Sequence, residues 1–202
     1  MSFEKNIAVL GHNGAGKSTL AKILAGITKP SQGKVSVFGK DPSKDVSTRK
    51  KIGIVTHNPL LYKELSVEEN LRFFAKLYGI KDWDWVVEEL KLRDKLNRRV
   101  FELSRGYLQR VAIAKAFMIR PRLLILDEPF SALDLEGREI LWAMIKEHEG
   151  SMVFSSHNLH DAKFCEKFAI LEKGEIVYFG KDYDEAIKVL RGIGEEGSKD
   201  RD

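Results

Sequence analysis

Short apolar runs alternate along the chain with segments in which apolar residues recur at helical spacing. The runs that we predict to be strands cover residues 6–10, 34–38, 52–56, 123–127, 152–156, 168–172 and 175–179. The last two flank Lys173-Gly174, a pair that is typical of the turn in a β-hairpin. This alternation predicts an α/β fold with a mostly parallel sheet, to which the hairpin adds a small antiparallel β part.

One segment, from residue 66 to about residue 99, contains no strand-like run. Ser66 and Glu69 form a capping-box pattern that predicts the start of a helix. Apolar residues at helical spacing then mark two helix faces, Val67, Leu71, Phe74 and Tyr78 on one and Trp83, Val86, Val87 and Leu90 on the other. We therefore predict one domain over residues 1–202, with an α/β core of residues 1–65 and 120–193, an inserted helical subdomain of residues 66–119, and a polar tail of residues 194–202.

Composition restricts the classes of function. The chain has 202 residues, with 34 Lys and Arg against 30 Asp and Glu, and the resulting net charge of +4 is spread along the sequence. This mild excess does not favour nucleic acid as a partner. No run approaches the ~18 apolar residues of a membrane span, and no signal-peptide pattern is present at the N-terminus, so we expect residence in the cytoplasm. Cys165 is the only cysteine, which excludes an internal disulfide.

Residues 11–19 read G-H-N-G-A-G-K-S-T and match the phosphate-binding pattern G-x-x-x-x-G-K-[ST] in full, between a predicted strand and a predicted helix. Glycines allow the backbone N–H groups of such a loop to turn towards an anion at the helix N-terminus. Lys17 can reach the β- and γ-phosphates, and the Ser18 hydroxyl can bind Mg²⁺. The pattern predicts a nucleotide site formed by Asn13, Gly14, Ala15, Gly16, Lys17, Ser18 and Thr19.

Two carboxylates follow the apolar run of residues 123–126. Ligands of parallel sheets bind at the carboxyl ends of the strands, and Asp127 and Glu128 lie at such an end. We predict that Asp127 holds Mg²⁺ together with Ser18, directly or through water. Glu128, which points in a different direction, is the candidate that orients or deprotonates a water molecule.

Two further positions fit the same chemistry. Ser104 is a good N-cap residue for a helix that contains Gly106 in its first turn, and a helix N-terminus of this kind can form a second anion site. His157 follows the predicted strand of residues 152–156 and can donate a hydrogen bond to a γ-phosphate. A plain capped helix and a structural histidine remain the alternatives at these two places.

The order of these motifs resembles that of the ATP-binding cassette (ABC) ATPases. The pieces that carry the resemblance are the phosphate loop, the helical insert, Leu103-Ser104-Arg105-Gly106, Asp127-Glu128-Pro129, Ser131-Ala132-Leu133-Asp134 and His157. Together they cover the chain from residue 7 to about residue 179. The resemblance implies a P-loop NTPase core of the RecA type that binds ATP and Mg²⁺ and hydrolyses ATP.

In that family the signature motif of one protomer closes on the γ-phosphate that the other protomer holds. The resemblance therefore implies that Ser104 and Gly106 act on ATP bound at Lys17 and Ser18 of a second subunit, in a homodimer or a pair of ATPase subunits. Asp134 matches the D-loop aspartate, which lies at the dimer interface in the family.

His157 matches the switch histidine of the family. Three other features of the chain depart from the family pattern. His57 stands where the family has a glutamine that touches Mg²⁺ or the attacking water, as in ATPases similar to haem exporters, so His57 is a candidate catalytic and metal-binding residue. The signature has Arg105 and Tyr107 in place of glycine and glutamine. Only ten residues precede Gly11, without the usual strands and adenine-stacking aromatic residue. We interpret the chain as truncated at its N-terminus, with weak binding of adenine as the alternative.

The resemblance implies an ATPase subunit that powers a membrane transporter, of the export type, from the inner face of the cell membrane. A separate permease is implied, and Leu60, Leu61 and Tyr62 are the candidates for contact with it, with ordinary packing as the alternative. An ABC ATPase of DNA repair would need a coiled coil, for which the 87 residues from Lys17 to Ser104 leave no room. Ribosome-acting members usually join two cassettes, and a small-molecule kinase would not explain the signature motif.

Overall fold

The computed structural model describes residues 6–157 and 159–199. Within these residues, six strands form one sheet in the order β2-β3-β4-β1-β5-β6. The strands are β1 Ile7–Leu10, β2 Ile52–Val55, β3 Leu123–Asp127, β4 Ser151–Ser156, β5 Lys167–Glu172 and β6 Glu175–Gly180. All neighbouring strands run parallel except β5 and β6, which form the antiparallel hairpin. The predicted α/β fold with a mostly parallel sheet is confirmed.

Seven α-helices occur in the described part of the chain. They are α1 Lys17–Leu24, α2 Val46–Arg49, α3 Val67–Tyr78, α4 Asp84–Glu89, α5 Arg105–Phe117, α6 Leu135–Lys146 and α7 Tyr183–Lys199. The capping box of α3 forms as predicted, because the Glu69 N–H donates to the Ser66 hydroxyl (3.1 Å) and the Ser66 N–H donates to the Glu69 carboxylate (2.7 Å). Helix α7 includes residues 194–199, and residues 200–202 of the predicted tail lie outside the described residues.

The two faces of the sheet bury two separate groups of apolar side chains. Successive residues of a strand point to opposite faces, so Ala8 and Leu10 of β1 join one group and Ile7 and Val9 join the other. Helix α1 covers the face of Ile7, while apolar residues of α3, α4, α5, α6 and α7 pack on the opposite face. The predicted helical insert thus shares one continuous core with the sheet, and its status as a separate subdomain stays a prediction.

The predicted strand at residues 34–38 is wrong. This segment makes only an isolated bridge, in which Val37 and Lys40 exchange hydrogen bonds of 2.8 and 3.1 Å across a turn formed by Phe38 and Gly39. A strand needs a neighbouring strand to satisfy its backbone, and no described residue pairs with residues 34–36. Val37 is nevertheless buried, so the apolar pattern here reflects packing of a turn against the face covered by α1.

Among the helices of the described residues, none has both the length and the apolar composition needed to cross a bilayer.

Candidate functional site

The phosphate-binding pattern lies between β1 and α1, at the carboxyl end of a central strand. The loop passes directly beside the β5–β6 hairpin, whose Gly174 N–H donates to the Ala15 carbonyl oxygen at 3.0 Å. A Cβ atom on Gly11 would lie only 2.4 Å from the Leu171 carbonyl oxygen, so this position requires glycine. Gly16 begins α1 in the left-handed conformation, with φ of 106°. The backbone has the curled form that a phosphate cradle requires.

Lys17 joins this loop to the predicted carboxylates. Its side chain is almost fully buried, and its Nζ donates to the carbonyl oxygens of Gly11 (2.8 Å) and His12 (3.1 Å). The same Nζ lies 3.5 Å from Oε1 of Glu128. The ammonium therefore sits between the phosphate loop and a carboxylate at the end of β3, where a terminal phosphate bound in the loop would meet it.

Asp127 and Glu128 have different surroundings although they are adjacent. Asp127 is the last residue of β3, is 2% exposed, and accepts a 2.6 Å hydrogen bond from the Ser155 hydroxyl at Oδ1. Glu128 leaves the strand with φ of 49°, and its Oε2 lies 3.3 Å from Nδ1 of the exposed His157. The structure thus brings Lys17, Glu128 and His157 into one series of contacts, which adjoins Asp127 at the end of β3.

A cavity of about 280 Å³ opens beside these groups and is lined by Glu128, Ser131, Arg138, His157 and Asp161, among others. A larger cavity of about 710 Å³ lies at the other end of β3 and β4, and none of the predicted site residues lines it. The smaller cavity is therefore the one that belongs to the candidate site, since Glu128 and His157 both line it.

The predicted metal ligands are compatible with Mg²⁺ in their donor chemistry. Ser18 is exposed in the first turn of α1, and Asp127 offers a buried carboxylate at the end of β3, a strand that α1 contacts. A hydroxyl and one carboxylate are what Mg²⁺ takes from a protein when phosphate oxygens complete its coordination. No cluster of three His, Cys, Asp or Glu that could hold a metal without a substrate occurs in the described residues.

His57, the third predicted ligand, is less closely connected to the site. It is exposed and follows β2, the edge strand next to β3. Within residues 6–157 and 159–199, its side chain makes no hydrogen bond or ion pair to the other predicted site residues.

Ser104, Gly106 and Asp134 form a second group. Ser104 caps α5, with its hydroxyl 3.4 Å from the Tyr107 N–H, and is exposed. Asp134 caps α6 by accepting from the Gly137 N–H at 2.9 Å, and it accepts a 2.8 Å hydrogen bond from Arg110 of α5. That hydrogen bond holds the pKa of Asp134 below its usual range.

This second group has no hydrogen bond or ion pair to the phosphate loop of its own chain among the described residues. Ser104 and Asp134 are both exposed, and Leu135 beside Asp134 is 75% exposed. Apart from His57, the predicted site residues therefore lie in two places, one around Lys17 and the other at the start of α5 and α6.

Sequence reasoning missed two residues that support these groups. Ser155 contacts Asp127, and the signal for it was a hydroxyl inside the otherwise apolar run of β4. Lys115 donates to the carbonyl oxygens of Pro59 (2.8 Å) and Leu60 (3.3 Å), in the loop that follows His57. The signal for Lys115 was a charge inside the otherwise apolar run of residues 111–117 in α5.

The family model described as "ABC transporter" matches residues 1–131. The chain is 33% identical over 186 residues to the ABC transporter ATP-binding protein NatA of Bacillus subtilis, covering 86% of this chain and 76% of that protein. It is 33% identical over 187 residues to the Nod factor export ATP-binding protein I of Rhizobium etli, covering 87% of this chain. The chain spans 59% of the length of that second relative.

The solved structures to which the chain is similar are also ATP-binding subunits or cassettes. The structure described as the ATP-binding subunit of an ABC transporter is similar with a TM-score of 0.82 and 32% identity, covering 93% of this chain and 83% of that one. The ATP-binding cassette MJ0796, in a dimeric post-hydrolysis state bound to ADP and Pi, is similar with a TM-score of 0.77 and 27% identity, covering 88% of this chain and 85% of that one.

Proposed function

The chain belongs to the ABC transporter family as an ATP-hydrolysing subunit, and from this premise we propose which residues bind and cleave ATP and how the subunit is coupled to export. The observation that carries the proposal is the series of contacts from the phosphate loop through Lys17 to Glu128 and His157. It supports the proposal because it joins a cation, a carboxylate and an imidazole beside the loop that would hold the γ-phosphate.

In the proposed reaction, the backbone N–H groups of residues 13–19 bind the phosphates, and the Lys17 ammonium binds the β- and γ-phosphate oxygens. Glu128 accepts a hydrogen bond from the attacking water and aligns it with the γ-phosphorus. His157 lies beside the Glu128 carboxylate and donates to the γ-phosphate when ATP is bound. These groups act by position and by charge, which are the main sources of catalysis in phosphoryl transfer.

Ser18 and Asp127 would hold Mg²⁺ in this scheme. When bound, Mg²⁺ neutralises charge on the β- and γ-phosphate oxygens. We assign His57 a polar contact to the attacking water or to the metal, in the place that the family gives to glutamine. Its exposed position after β2 leaves both of its ring nitrogens available to a bound nucleotide.

We propose that two subunits close on ATP, in a homodimer or with a paired ATPase subunit. Ser104 and Gly106 would contact the γ-phosphate in the phosphate loop of the other subunit, and Asp134 would lie at the interface. The separation of these residues from the phosphate loop of their own chain supports this arrangement. So does the exposure of Leu135, an apolar side chain 75% open to solvent beside Asp134.

Light scattering on Glu128→Gln tests the scheme. We expect this variant to lose nearly all turnover yet bind ATP, and to change from monomer to dimer when ATP and Mg²⁺ are both present. Adding Ser104→Ala to the same background should weaken the dimer, because the contact across the interface is lost. Turnover equal to that of the wild type would overturn the role of Glu128. A dimer that is equally stable with and without Ser104→Ala would overturn the shared site.

We further propose that the subunit binds a separate permease at the inner face of the cell membrane and supports export. Leu60 and Tyr62 are 42% and 49% exposed, and the Tyr62 ring packs against those of Phe73 and Phe74. Leu61 packs against the core beside them, so the three residues offer a supported apolar surface. Tyr62→Asp should abolish co-purification with the permease while ATPase activity is kept, whereas Ile27→Asp, at an exposed residue beyond the end of α1, should not. Equal effects of the two variants would refute this contact.

A further inference from the structure

Ser155 lies where the two site carboxylates meet the central sheet. It belongs to β4, and its register partner on β3 is Asp127. The side chain is 2% exposed, and it follows the apolar residues Val153 and Phe154. A hydroxyl buried at such a place costs free energy unless it has hydrogen-bond partners, so its contacts show what it does.

Ser155 is hydrogen-bonded to both carboxylate residues. The Ser155 hydroxyl donates to Oδ1 of Asp127 at 2.6 Å, the distance of a strong bond to an ionised acceptor. The Glu128 N–H donates to the Ser155 carbonyl oxygen at 3.1 Å and lies 3.3 Å from the Ser155 hydroxyl oxygen. One residue of β4 thus fixes a side chain at the end of β3 and the backbone immediately after it.

The backbone at Glu128 needs this support. Its φ of 49° is in the left-handed region, which residues other than glycine adopt only at a cost in free energy. This conformation ends β3 and turns the Glu128 side chain towards Lys17 and His157, at 3.5 and 3.3 Å. The bonds from the Glu128 N–H to Ser155 therefore hold the turn that gives the carboxylate its direction.

We propose that Ser155 is a positioning residue for ATP hydrolysis, which orients Asp127 through its hydroxyl and Glu128 through the backbone turn. This rests on the proposed function, since it assigns Asp127 to Mg²⁺ and Glu128 to the attacking water. Among the described residues, the Ser155 side chain makes no hydrogen bond to the phosphate loop, so we expect its loss to change how the carboxylates are held rather than how ATP is anchored.

Ser155→Ala removes the hydroxyl that donates to Asp127 and that lies 3.3 Å from the Glu128 N–H, and it leaves the carbonyl contact to Glu128 in place. We expect kcat to fall by about 10- to 100-fold, the usual effect of removing a group that orients a metal-binding residue. The KM for ATP should change less than threefold, and the Mg²⁺ concentration for half-maximal activity should rise. Ser155→Thr keeps the hydroxyl in a residue that suits a strand and should restore most of kcat.

Val153→Ala is the matched control, because Val153 is also buried on β4, two residues earlier and therefore on the same face. It weakens packing without touching either carboxylate, so it reports the effect of lost stability alone. An equilibrium titration in the Glu128→Gln background adds a measurement without turnover. There, Ser155→Ala should raise the Mg²⁺ requirement for ATP binding and Val153→Ala should not.

The outcomes separate this proposal from the one on which it rests. ATP hydrolysis by the wild type and its loss in Glu128→Gln test the proposed function, and failure there overturns both. With those two results in hand, Ser155→Ala that matches Val153→Ala in kcat and Mg²⁺ requirement overturns the role of Ser155. If Ser155→Thr does not fold, the comparison of these two alanine variants still decides the question.

Discussion

Lys115 carries a charged side chain in the buried part of α5, and this burial should make the stability of the protein depend on pH. The residue is 8% exposed, its ammonium donates to the Pro59 and Leu60 carbonyl oxygens, and the Phe74 ring lies 5.2 Å away. Burial lowers the pKa of Lys115 from 10.5 to about 8, since the charged form loses water that two carbonyl groups replace only in part. Lys115→Met keeps an unbranched side chain of nearly the same length and removes the charge.

The lowered pKa makes the free energy of unfolding depend on pH within a defined window. Below about pH 8 the Lys115 ammonium is charged in the folded and unfolded chain, and folding bears the full cost of burying it. Between about pH 8 and pH 10.5 the unfolded chain holds a proton that the folded chain has released, so stability rises with pH. At about 1.4 kcal/mol for each pH unit, this gain amounts to about 3 kcal/mol for the wild type and is absent in Lys115→Met.

Urea unfolding from about pH 7 to pH 10.5 measures the difference in stability between the wild type and Lys115→Met. The pKa of Tyr78 is raised by burial, but Tyr78 titrates in both proteins and cancels in the difference. Lys76→Met, at an exposed position of α3, is the control and should give a flat difference. A flat difference for Lys115→Met as well would refute the claim that burial of this ammonium is costly in the fold.

Two further predictions concern the phosphate loop. Gly11→Ala should lower the free energy of unfolding by at least about 2 kcal/mol in urea unfolding, because its Cβ would lie 2.4 Å from the Leu171 carbonyl oxygen. Gly192→Ala, in a helix with open space around it, should not destabilise, and equal effects of the two would contradict this explanation. Lys17→Ala should weaken ATP binding at least about 10-fold in an equilibrium titration, since a charge-assisted contact to phosphate is lost. An unchanged affinity would exclude the role given to Lys17.

The parts of the fold that the sequence predicts are those determined by local pattern. The run of residues 6–10, the glycine loop and the following helix each have their own signal, and the carboxyl ends of parallel strands meet at one edge. The same reasoning therefore places Lys17 near Asp127 and Glu128. It fails at residues 34–38, where the apolar pattern is that of a strand but the described residues supply no partner strand.

Contacts that depend on register or on distant packing carry no such signal. The bond from Ser155 to Asp127 exists because β4 pairs with β3 in one register, and a shift of one residue would turn the hydroxyl to the opposite face. The bonds of Lys115 join residues more than fifty positions apart. For Ser155 and Lys115, the sequence shows only a polar side chain among apolar ones. The hydrogen-bond partner of each can be identified only in the folded chain.

Asp127 and Glu128 have different surroundings because β3 ends between them. Asp127 is still part of the strand, so its side chain lies against the sheet, buried and bonded to Ser155. Glu128 has left the strand through a left-handed turn, and its carboxylate faces Lys17 and His157 beside a cavity. If the strand continued by one residue, alternation would place Glu128 on the opposite face of the sheet from Asp127, within the core. A single backbone angle, supported by Ser155, therefore gives the two carboxylates different surroundings, and these surroundings suit the roles that we propose for them, metal binding for Asp127 and contact with the attacking water for Glu128.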